Sequence, residues 1–213
     1  MDVGEMNRAA YDRVATQWGA ARSGFYGREE QYLELLLGGL PAGAHVLDAG
    51  CGTGWPMAGA VLARGFRVTG VDQSRELLAL ARRRFPEDGP GAPRWVLSSL
   101  EDYPFDEPAA AIICWDTLFH IPRERHPLLL QRMAACLEQG GRLMLTMGGS
   151  AHPAFTDEMF GQTFFYDSHT PTETAHMLRG LGFTMLLEEF MNQPDTANGG
   201  RDKGRYAMVA QKS

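Results

Sequence analysis

Three glycines, spaced two residues apart, follow a short apolar run that ends in an acid. The acid is Asp48, and the glycines are Gly50, Gly52 and Gly54. Because glycine lacks a Cβ, a ligand can approach the backbone of such a loop closely. A pyrophosphate-binding fingerprint would place its third glycine where Trp55 stands. The missing glycine and the preceding acid therefore favour a ligand other than a pyrophosphate.

A second acid ends the next predicted strand. Residues 66–71 are a mostly apolar run that ends in Asp72, and a helical pattern follows over 75–81. A carboxylate at such a strand end, about twenty residues after a glycine loop, can accept two hydrogen bonds from a ribose diol. The segments 46–54 and 68–72 together resemble the first two motifs of the class I S-adenosylmethionine-dependent methyltransferases. The resemblance implies a Rossmann-like fold and S-adenosyl-L-methionine as cofactor.

The same resemblance implies a set of cofactor-binding residues in the loops at the strand ends. In this reading the glycine loop surrounds the methionine part of the cofactor, Asp48 supports the loop or the ammonium group, and Asp72 binds the ribose. Many members carry a carboxylate where Ser99 stands, so the backbone of Leu100 is the stronger candidate for the adenine. The core set is Asp48, Gly50, Cys51, Gly52, Gly54, Asp72, Gln73, Ser99, Leu100 and Trp115.

The N-terminal segment is predicted to form a helical lid. Apolar residues recur at three- and four-residue steps from Asn7 to Trp18, which indicates one amphipathic helix. Arg22 could clamp the cofactor carboxylate, and Tyr11 and Tyr26 could close over the sulfonium through cation–π attraction. In the alternative, Tyr11 only packs its helix and Arg22 faces water.

Two residues after the predicted central strand 109–114 are candidates for catalysis. His120 is the candidate general base, since its ordinary pKa lies near neutrality and the strand end faces the transferred methyl group. A packing or positioning role is the alternative for His120. Asp116 could orient His120 or bind substrate, or it could cap the helix expected to start at Pro122.

An irregular, aromatic-rich segment over 148–170 is predicted to cover the methyl acceptor. Phe160 and Tyr166 in this segment, with Phe119 and Tyr26 elsewhere, are the candidate acceptor-binding residues, and an apolar or aromatic small molecule follows from them. The alternative is a satellite cluster under a long loop. The Asn/Asp-Pro-Pro-Tyr element of base and amine N-methyltransferases is absent from 114–117, which disfavours DNA adenine methylation.

Composition narrows the class of protein further. With 213 residues, 44% hydrophobic content and a net charge of −6, we expect one domain and no affinity for nucleic acid. The 3 cysteines form no metal or disulfide pattern, which fits a reducing cytoplasm. No targeting or membrane-spanning segment is evident. We expect no metal site, because the spacing of the candidate ligands matches no known cluster; these are His152, Asp157, Glu158, His169 and His176.

The element pattern predicts a doubly wound seven-stranded sheet, mostly parallel, with an antiparallel C-terminal strand. We divide the single domain into a lid (1–43), a cofactor-binding core (44–147), a substrate-covering insert (148–170) and a C-terminal helix with a strand pair (171–213). Thr170 to Glu173 form a predicted capping box, and the last two strands are joined by a loop near Asn198–Gly200.

Three functions are open at this point. The leading hypothesis is a methyltransferase acting on oxygen or nitrogen of a small molecule, as a monomer or homodimer. The second is a catalytically silent S-adenosylmethionine-binding regulator or partner subunit. The third, a nucleotide-dependent oxidoreductase, is opposed by the glycine spacing and by the acid that precedes the loop.

Overall fold

The computed structural model describes residues 2–195 and 203–213. Its helices are α1 (Val3–Ala21), α2 (Glu29–Leu37), α3 (Met57–Ala63), α4 (Arg75–Arg84), α5 (His126–Cys136) and α6 (Pro171–Gly180). Its strands are β1 (His45–Ala49), β2 (Arg67–Asp72), β3 (Arg94–Leu97), β4 (Ala109–Cys114), β5 (Leu137–Gly148), β6 (Phe155–Met159), β7 (Gln162–Tyr166), β8 (Phe183–Asn192) and β9 (Arg205–Lys212). The predicted loop near Asn198–Gly200 lies outside the described residues.

Seven strands form one sheet in the order β3-β2-β1-β4-β5-β9-β8. Neighbours among β1 to β5 are parallel, and β9 runs antiparallel to both β5 and β8. The predicted fold class is therefore confirmed. All residues of β1 and β4 are buried, as expected of central strands covered by helices on both faces. The carboxyl ends of the parallel strands share one edge, so the loops after β1, β2 and β4 meet there.

Helix boundaries follow local signals in most places. The hydroxyl of Ser74 accepts a hydrogen bond from the backbone N–H of Leu77 and caps α4. The predicted capping box of α6 is present, with Thr170 and Glu173 bonded in both directions. The helix expected from Pro122 instead begins at His126, after a 3₁₀ turn. The carboxylate of Asp167 accepts from the backbone N–H and the guanidinium of Arg123, which holds this turn in place.

The insert is more regular than the sequence suggested, because β6 and β7 form an antiparallel hairpin and a separate two-stranded sheet. Phe160 and Gly161 connect them, both with positive φ (52° and 71°), as in the tight turns that suit a twisted hairpin. The fully buried Asn7 of α1 ties the hairpin to the lid. Its Oδ1 accepts from the backbone N–H of Phe165 at 2.8 Å, and its Nδ2 donates to the carbonyls of Phe165 and His120, both at 3.1 Å.

Candidate active site

A cavity opens at the carboxyl edge of the sheet, between the glycine loop, the ends of β2 and β4, and α1. It encloses about 990 Å³ including its open mouth, and we refer to it as the first cavity. This size lies in the range of small-molecule and cofactor sites. The predicted site residues that line it are Tyr11, Arg22, Asp48, Gly50, Cys51, Gly52, Asp72, Gln73, Leu100, Trp115, Asp116 and His120.

The glycine loop is folded back against the end of β2. Gly50 has a φ of 87°, and a Cβ there would lie 2.1 Å from the Oγ1 of Thr117, so no other residue fits. The backbone N–H of Gly52 donates to the Oδ2 of Asp72 at 2.8 Å. Gly54 does not line the cavity, and a Cβ on it would lie 2.7 Å from the ring of Trp95. The third glycine is therefore required by packing, whereas the first two border the ligand space.

Asp72 holds the glycine loop and the start of α4 at once. Besides Gly52, its carboxylate accepts from the backbone N–H of Ser74 at 2.8 Å. Burial raises the pKa of this carboxyl to about 6, while the two backbone hydrogen bonds act in the opposite direction. Carboxylate oxygens have further lone-pair sites, so Asp72 can accept bonds from a ligand without releasing the loop.

Asp48 is a buried carboxyl with an unsatisfied oxygen on the wall of the first cavity. Its side chain is 3% exposed, and its Oδ2 has no hydrogen-bond partner within the described residues. Burial, and then the nearby charge of Asp72, raise the pKa of Asp48 to about 7. A buried carboxylate without a donor is costly. The arrangement fits a cationic donor group, such as an ammonium, supplied by a ligand.

Tyr11 and His120 form a hydrogen-bonded pair in the wall of the first cavity, 2.8 Å from hydroxyl oxygen to Nε2. The Nδ1 of His120 lies 3.0 Å from the carbonyl of Phe165. Because a carbonyl only accepts, Nδ1 carries the proton and Nε2 accepts from the Tyr11 hydroxyl. Burial lowers the pKa of His120 to about 4, so the ring is neutral at ordinary pH. The basic nitrogen of His120 therefore reaches the ligand space only through Tyr11.

Asp116 points away from the role of a helix cap. Its carboxylate binds Arg205 on β9 at 2.5 Å, and its backbone N–H donates to the Oγ1 of Thr146 at 2.7 Å. The φ of Asp116 is 51°, a conformation that aspartate tolerates better than most residues. The partners recorded for Asp116 do not include His120, so direct orientation of that ring is not what this geometry provides.

Arg22 is committed to an ion pair within the lid. Its guanidinium lies 2.8 Å from the carboxylate of Glu29, and the two side chains are 8% and 0% exposed. The Glu29 carboxylate also accepts from the indole N–H of Trp115 at 2.9 Å, and it lies 3.7 Å from the Arg205 guanidinium. This differs from the expectation of a free arginine facing water. It leaves a clamp on the cofactor carboxylate as an untested role, which Arg22 would share with its pairing to Glu29.

Sequence reasoning overlooked Glu29, Arg205 and Asn7. Glu29 looks like an ordinary acid in the first turn of a helix, and Arg205 like an ordinary residue at a strand start, so neither carried a signal. Asn7 did carry one, because it occupies the same helical face as Ala10 and Val14. A polar residue in line with an apolar stripe indicates a buried hydrogen-bonding duty.

The adenine loop is shifted by one residue from the prediction. Ser98 and Leu100 line the first cavity, whereas the hydroxyl of Ser99 donates to the carboxylate of Asp102 at 2.8 Å. Glu101 also lines the cavity while its carboxylate binds Arg125 at 3.0 Å. The structure therefore places Leu100, but not Ser99, next to the ligand space.

A second cavity lies beside the first, between the hairpin and the start of β9. It encloses about 910 Å³ including its open mouth, and its walls include Phe119 and Tyr166. Two other predicted acceptor residues line neither cavity: Tyr26 is 47% exposed, and Phe160 is 46% exposed at the hairpin turn. These two predictions are not supported by the placement of the side chains.

A single layer of side chains separates the two cavities. His120 and Asp116 face the first cavity, and Tyr166 and Arg205 face the second. The rings of His120 and Tyr166 are 4.8 Å apart, and Asp116 is bonded to Arg205. A molecule in the second cavity is therefore one side-chain layer away from a ligand in the first.

Other functional features are sparse in the described part of the chain. Within it, no group of three or more His, Cys, Asp or Glu residues is arranged to hold a metal ion. The three cysteines, Cys51, Cys114 and Cys136, are unpaired and buried. Burial raises the pKa of the Cys51 thiol well above its ordinary value, which suits a small packing residue rather than a nucleophile. Helices long and apolar enough to cross a membrane are not found among residues 2–195 and 203–213.

Comparison with known proteins identifies the domain. Residues 46–141, from β1 into β5, match the family model described as a methyltransferase domain. A curated relative, the ubiquinone biosynthesis O-methyltransferase of Xanthomonas axonopodis pv. citri, is 28% identical over 172 residues, which are 72% of this chain and 70% of the relative.

Two solved structures show the same architecture. The 1,6-didemethyltoxoflavin-N1-methyltransferase of Burkholderia thailandensis has a TM-score of 0.71 and 23% identity, covering 98% of this chain and 88% of that one. The magnesium protoporphyrin IX methyltransferase of Synechocystis PCC 6803 has a TM-score of 0.71 and 19% identity, covering 100% and 98%. At such identities the similarity is one of fold.

The domain match, the strand order and the glycine loop followed by Asp72 agree with one another. The chain belongs to the class I S-adenosylmethionine-dependent methyltransferases, and its cofactor is S-adenosyl-L-methionine. The unsatisfied oxygen of Asp48 and the glycine cradle fit that cofactor, because they offer a carboxylate for its ammonium and open backbone for its bulk. The comparisons give no support to a silent regulator or an oxidoreductase.

Proposed function

We propose that this enzyme transfers a methyl group to an oxygen or nitrogen of a small-molecule acceptor held in the second cavity. The observation that carries the proposal is the single layer of side chains between the two cavities. A donor in the first cavity and an acceptor in the second would meet where His120 and Asp116 face Tyr166 and Arg205. Methyl transfer needs the reacting atoms in line and in contact, so adjacency of the two spaces is the first requirement.

In this proposal the loops of the first cavity hold the cofactor. Asp48 would bind its ammonium group, the backbone from Gly50 to Gly52 would surround its methionine part, and Asp72 would accept from its ribose. When bound, S-adenosylmethionine supplies an electrophilic methyl group on a sulfonium. Leu100 and Ser98 would border the adenine, with Gln73 and Trp115 completing the wall.

Tyr11 is the residue best placed to orient the acceptor. Its O–H donates to the Nε2 of His120, so the remaining lone pairs of the phenol oxygen are free to accept from an acceptor N–H or O–H. With a pKa of about 4, His120 is a weak base. The pair therefore acts chiefly by fixing the direction of the nucleophile, and alignment of this kind accounts for much of the catalysis of such displacements.

The relatives support a small acceptor with a ring oxygen or nitrogen. One is named for O-methylation in ubiquinone biosynthesis, and another for N1-methylation of 1,6-didemethyltoxoflavin. We further propose the cytoplasm as the compartment, which fits three unpaired, buried cysteines. The four-part division of the chain into lid, core, insert and C-terminal segment stays part of this proposal.

The test is turnover of methyl-labelled S-adenosylmethionine with a panel of small aromatic phenols, amines and carboxylic acids, together with calorimetric titration of S-adenosylhomocysteine. Tight binding of S-adenosylhomocysteine with methylation of at least one panel member is expected. Tyr11→Phe should lower kcat by roughly ten- to a hundredfold while S-adenosylhomocysteine affinity changes less than threefold, since only the acceptor contact is lost. Tyr206→Phe, a tyrosine outside both cavities, is the matched control.

Binding of the product cofactor without turnover of any acceptor would favour the silent regulator instead. Equal kcat values for wild type and Tyr11→Phe would remove the orienting role of Tyr11.

A further inference from the structure

The second cavity is lined by aromatic rings on the side of the hairpin. Phe155 and Tyr166 face each other in a stacked arrangement with centroids 5.3 Å apart and planes 16° apart. Phe119 continues this wall at 6.1 Å from Tyr166, and His152 contacts Phe155 edge-on at 5.1 Å. Flat ring surfaces of this kind favour a planar aromatic guest over a flexible aliphatic one.

The charged groups of the second cavity are mostly neutralised by partners. Asp167 is bound by Arg123 at 2.5 Å, and Arg205 is bound by Asp116 at 2.5 Å. Asp157 is exposed on the outer part of β6, where water screens its charge.

Lys203 is the exception in this cavity. Its ammonium lies 5.7 Å from the ring centroid of Phe155, and no carboxylate within residues 2–195 and 203–213 forms an ion pair with it. Its side chain is half-buried, so the charge is poorly screened, and it sits beside the aromatic wall. A half-buried cation without a counter-ion attracts an anionic group of a ligand more strongly than a solvated lysine does.

From these observations we propose that the methyl acceptor is a planar aromatic compound carrying an acidic group, with the ring against Phe155 and Tyr166 and the acid on Lys203. This deepens and rests on the proposed function, because it takes the second cavity as the acceptor site. The nucleophilic atom of the compound lies at the end opposite the acid, toward the layer formed by His120 and Asp116.

The first test compares two probes that differ only in charge. These are 6-hydroxy-2-naphthoate and its neutral methyl ester, titrated calorimetrically into the full chain with and without saturating S-adenosylhomocysteine. The naphthoate is expected to bind at least tenfold more tightly than the ester. Lys203→Gln should bring the ratio of the two affinities below about threefold, and Lys203→Arg should keep the preference because it keeps the charge.

The second test uses the lysine content of the chain. Lys203 and Lys212 are the lysines of the sequence, so reductive methylation with ¹³C-formaldehyde gives two resolvable side-chain signals in an NMR spectrum. The naphthoate should shift the Lys203 signal. Lys212 is the internal control, because its ammonium donates to the carbonyls of Ala134 and Leu137, both at 2.7 Å, away from the cavity.

Several outcomes would overturn the proposal. Equal binding of acid and ester, an unchanged preference in Lys203→Gln, or an unmoved Lys203 signal each removes the acid contact. Binding of neither probe removes the aromatic acceptor site. The same titrations report S-adenosylhomocysteine binding, whose failure would instead refute the proposed methyl transfer.

Discussion

The unsatisfied carboxyl of Asp48 predicts that one substitution will raise stability and lower cofactor affinity. Burial raises its pKa from the ordinary 3.8 to about 7. At 1.36 kcal/mol per pH unit, ionising it in the cofactor-free folded protein costs about 4 kcal/mol. Because the folded pKa lies above the unfolded one, this cost is absent below about pH 4, grows through the interval and is complete above about pH 7.

Asp48→Asn replaces the carboxylate by a neutral amide of the same shape. The variant loses the ionisation cost but keeps a buried polar group without a partner, which costs about 1–3 kcal/mol. At pH 8 the cofactor-free variant should therefore be more stable than wild type by about 1–3 kcal/mol, and at pH 5 the gain should shrink toward zero. Urea unfolding at the two pH values measures this, with Asp88→Asn at an exposed site as the control.

The same variant should bind S-adenosylhomocysteine at least tenfold more weakly at pH 8, since a charge-assisted hydrogen bond to the ammonium is lost. In the wild type, affinity should fall as the pH is lowered below about 7, because binding requires the ionised carboxylate. That part of the pH dependence should vanish in Asp48→Asn. Calorimetry that finds equal affinities, together with unfolding free energies that move in parallel with wild type at pH 5 and 8, would refute the reasoning.

Three further substitutions test other parts of the structure. Gly50→Ala should abolish S-adenosylhomocysteine binding by calorimetry and lower the melting temperature in thermal scans, because the new Cβ collides with Thr117 and the φ of 87° is strained; normal binding would contradict the glycine requirement. Thr170→Ala should lower the free energy of unfolding in urea by about 1 kcal/mol through loss of the α6 cap, with little change in cofactor affinity. Arg22→Ala should lower it by about 3 kcal/mol, because it leaves the buried Glu29 without its closest cation; a normal unfolding curve with weakened S-adenosylhomocysteine binding would instead support a cofactor clamp.

Most of the central sheet could be predicted because its signals are local. The runs that became β3 and β4 begin and end where the sequence indicated, since continuous apolar residues bounded by polar ones leave few other solutions. The glycine loop and Asp72 were equally legible, because backbone conformation and ribose recognition restrict residue type at fixed spacing.

The hairpin and the ion-pair network were not predictable in the same way. β6 carries three exposed polar residues in its middle, so alternation did not mark it as a strand, and its tight turn uses Phe160 where asparagine or aspartate would be the usual signal. Glu29 gains its role only from Arg22, Trp115 and Arg205, which the fold brings together from distant segments. Such contacts are decided by tertiary packing and leave no trace in local composition.

The attachment of the hairpin has an evolutionary consequence. Asn7 and His120 bind backbone atoms of residue 165, and the carbonyl of Phe119 accepts from the backbone N–H of Asp167. These anchors do not depend on which side chains the hairpin carries. Mutation can therefore exchange the hairpin's ring surfaces while its position over the site is inherited unchanged. A family built this way can acquire new acceptors by revising about twenty residues and leaving the cofactor loops as they are.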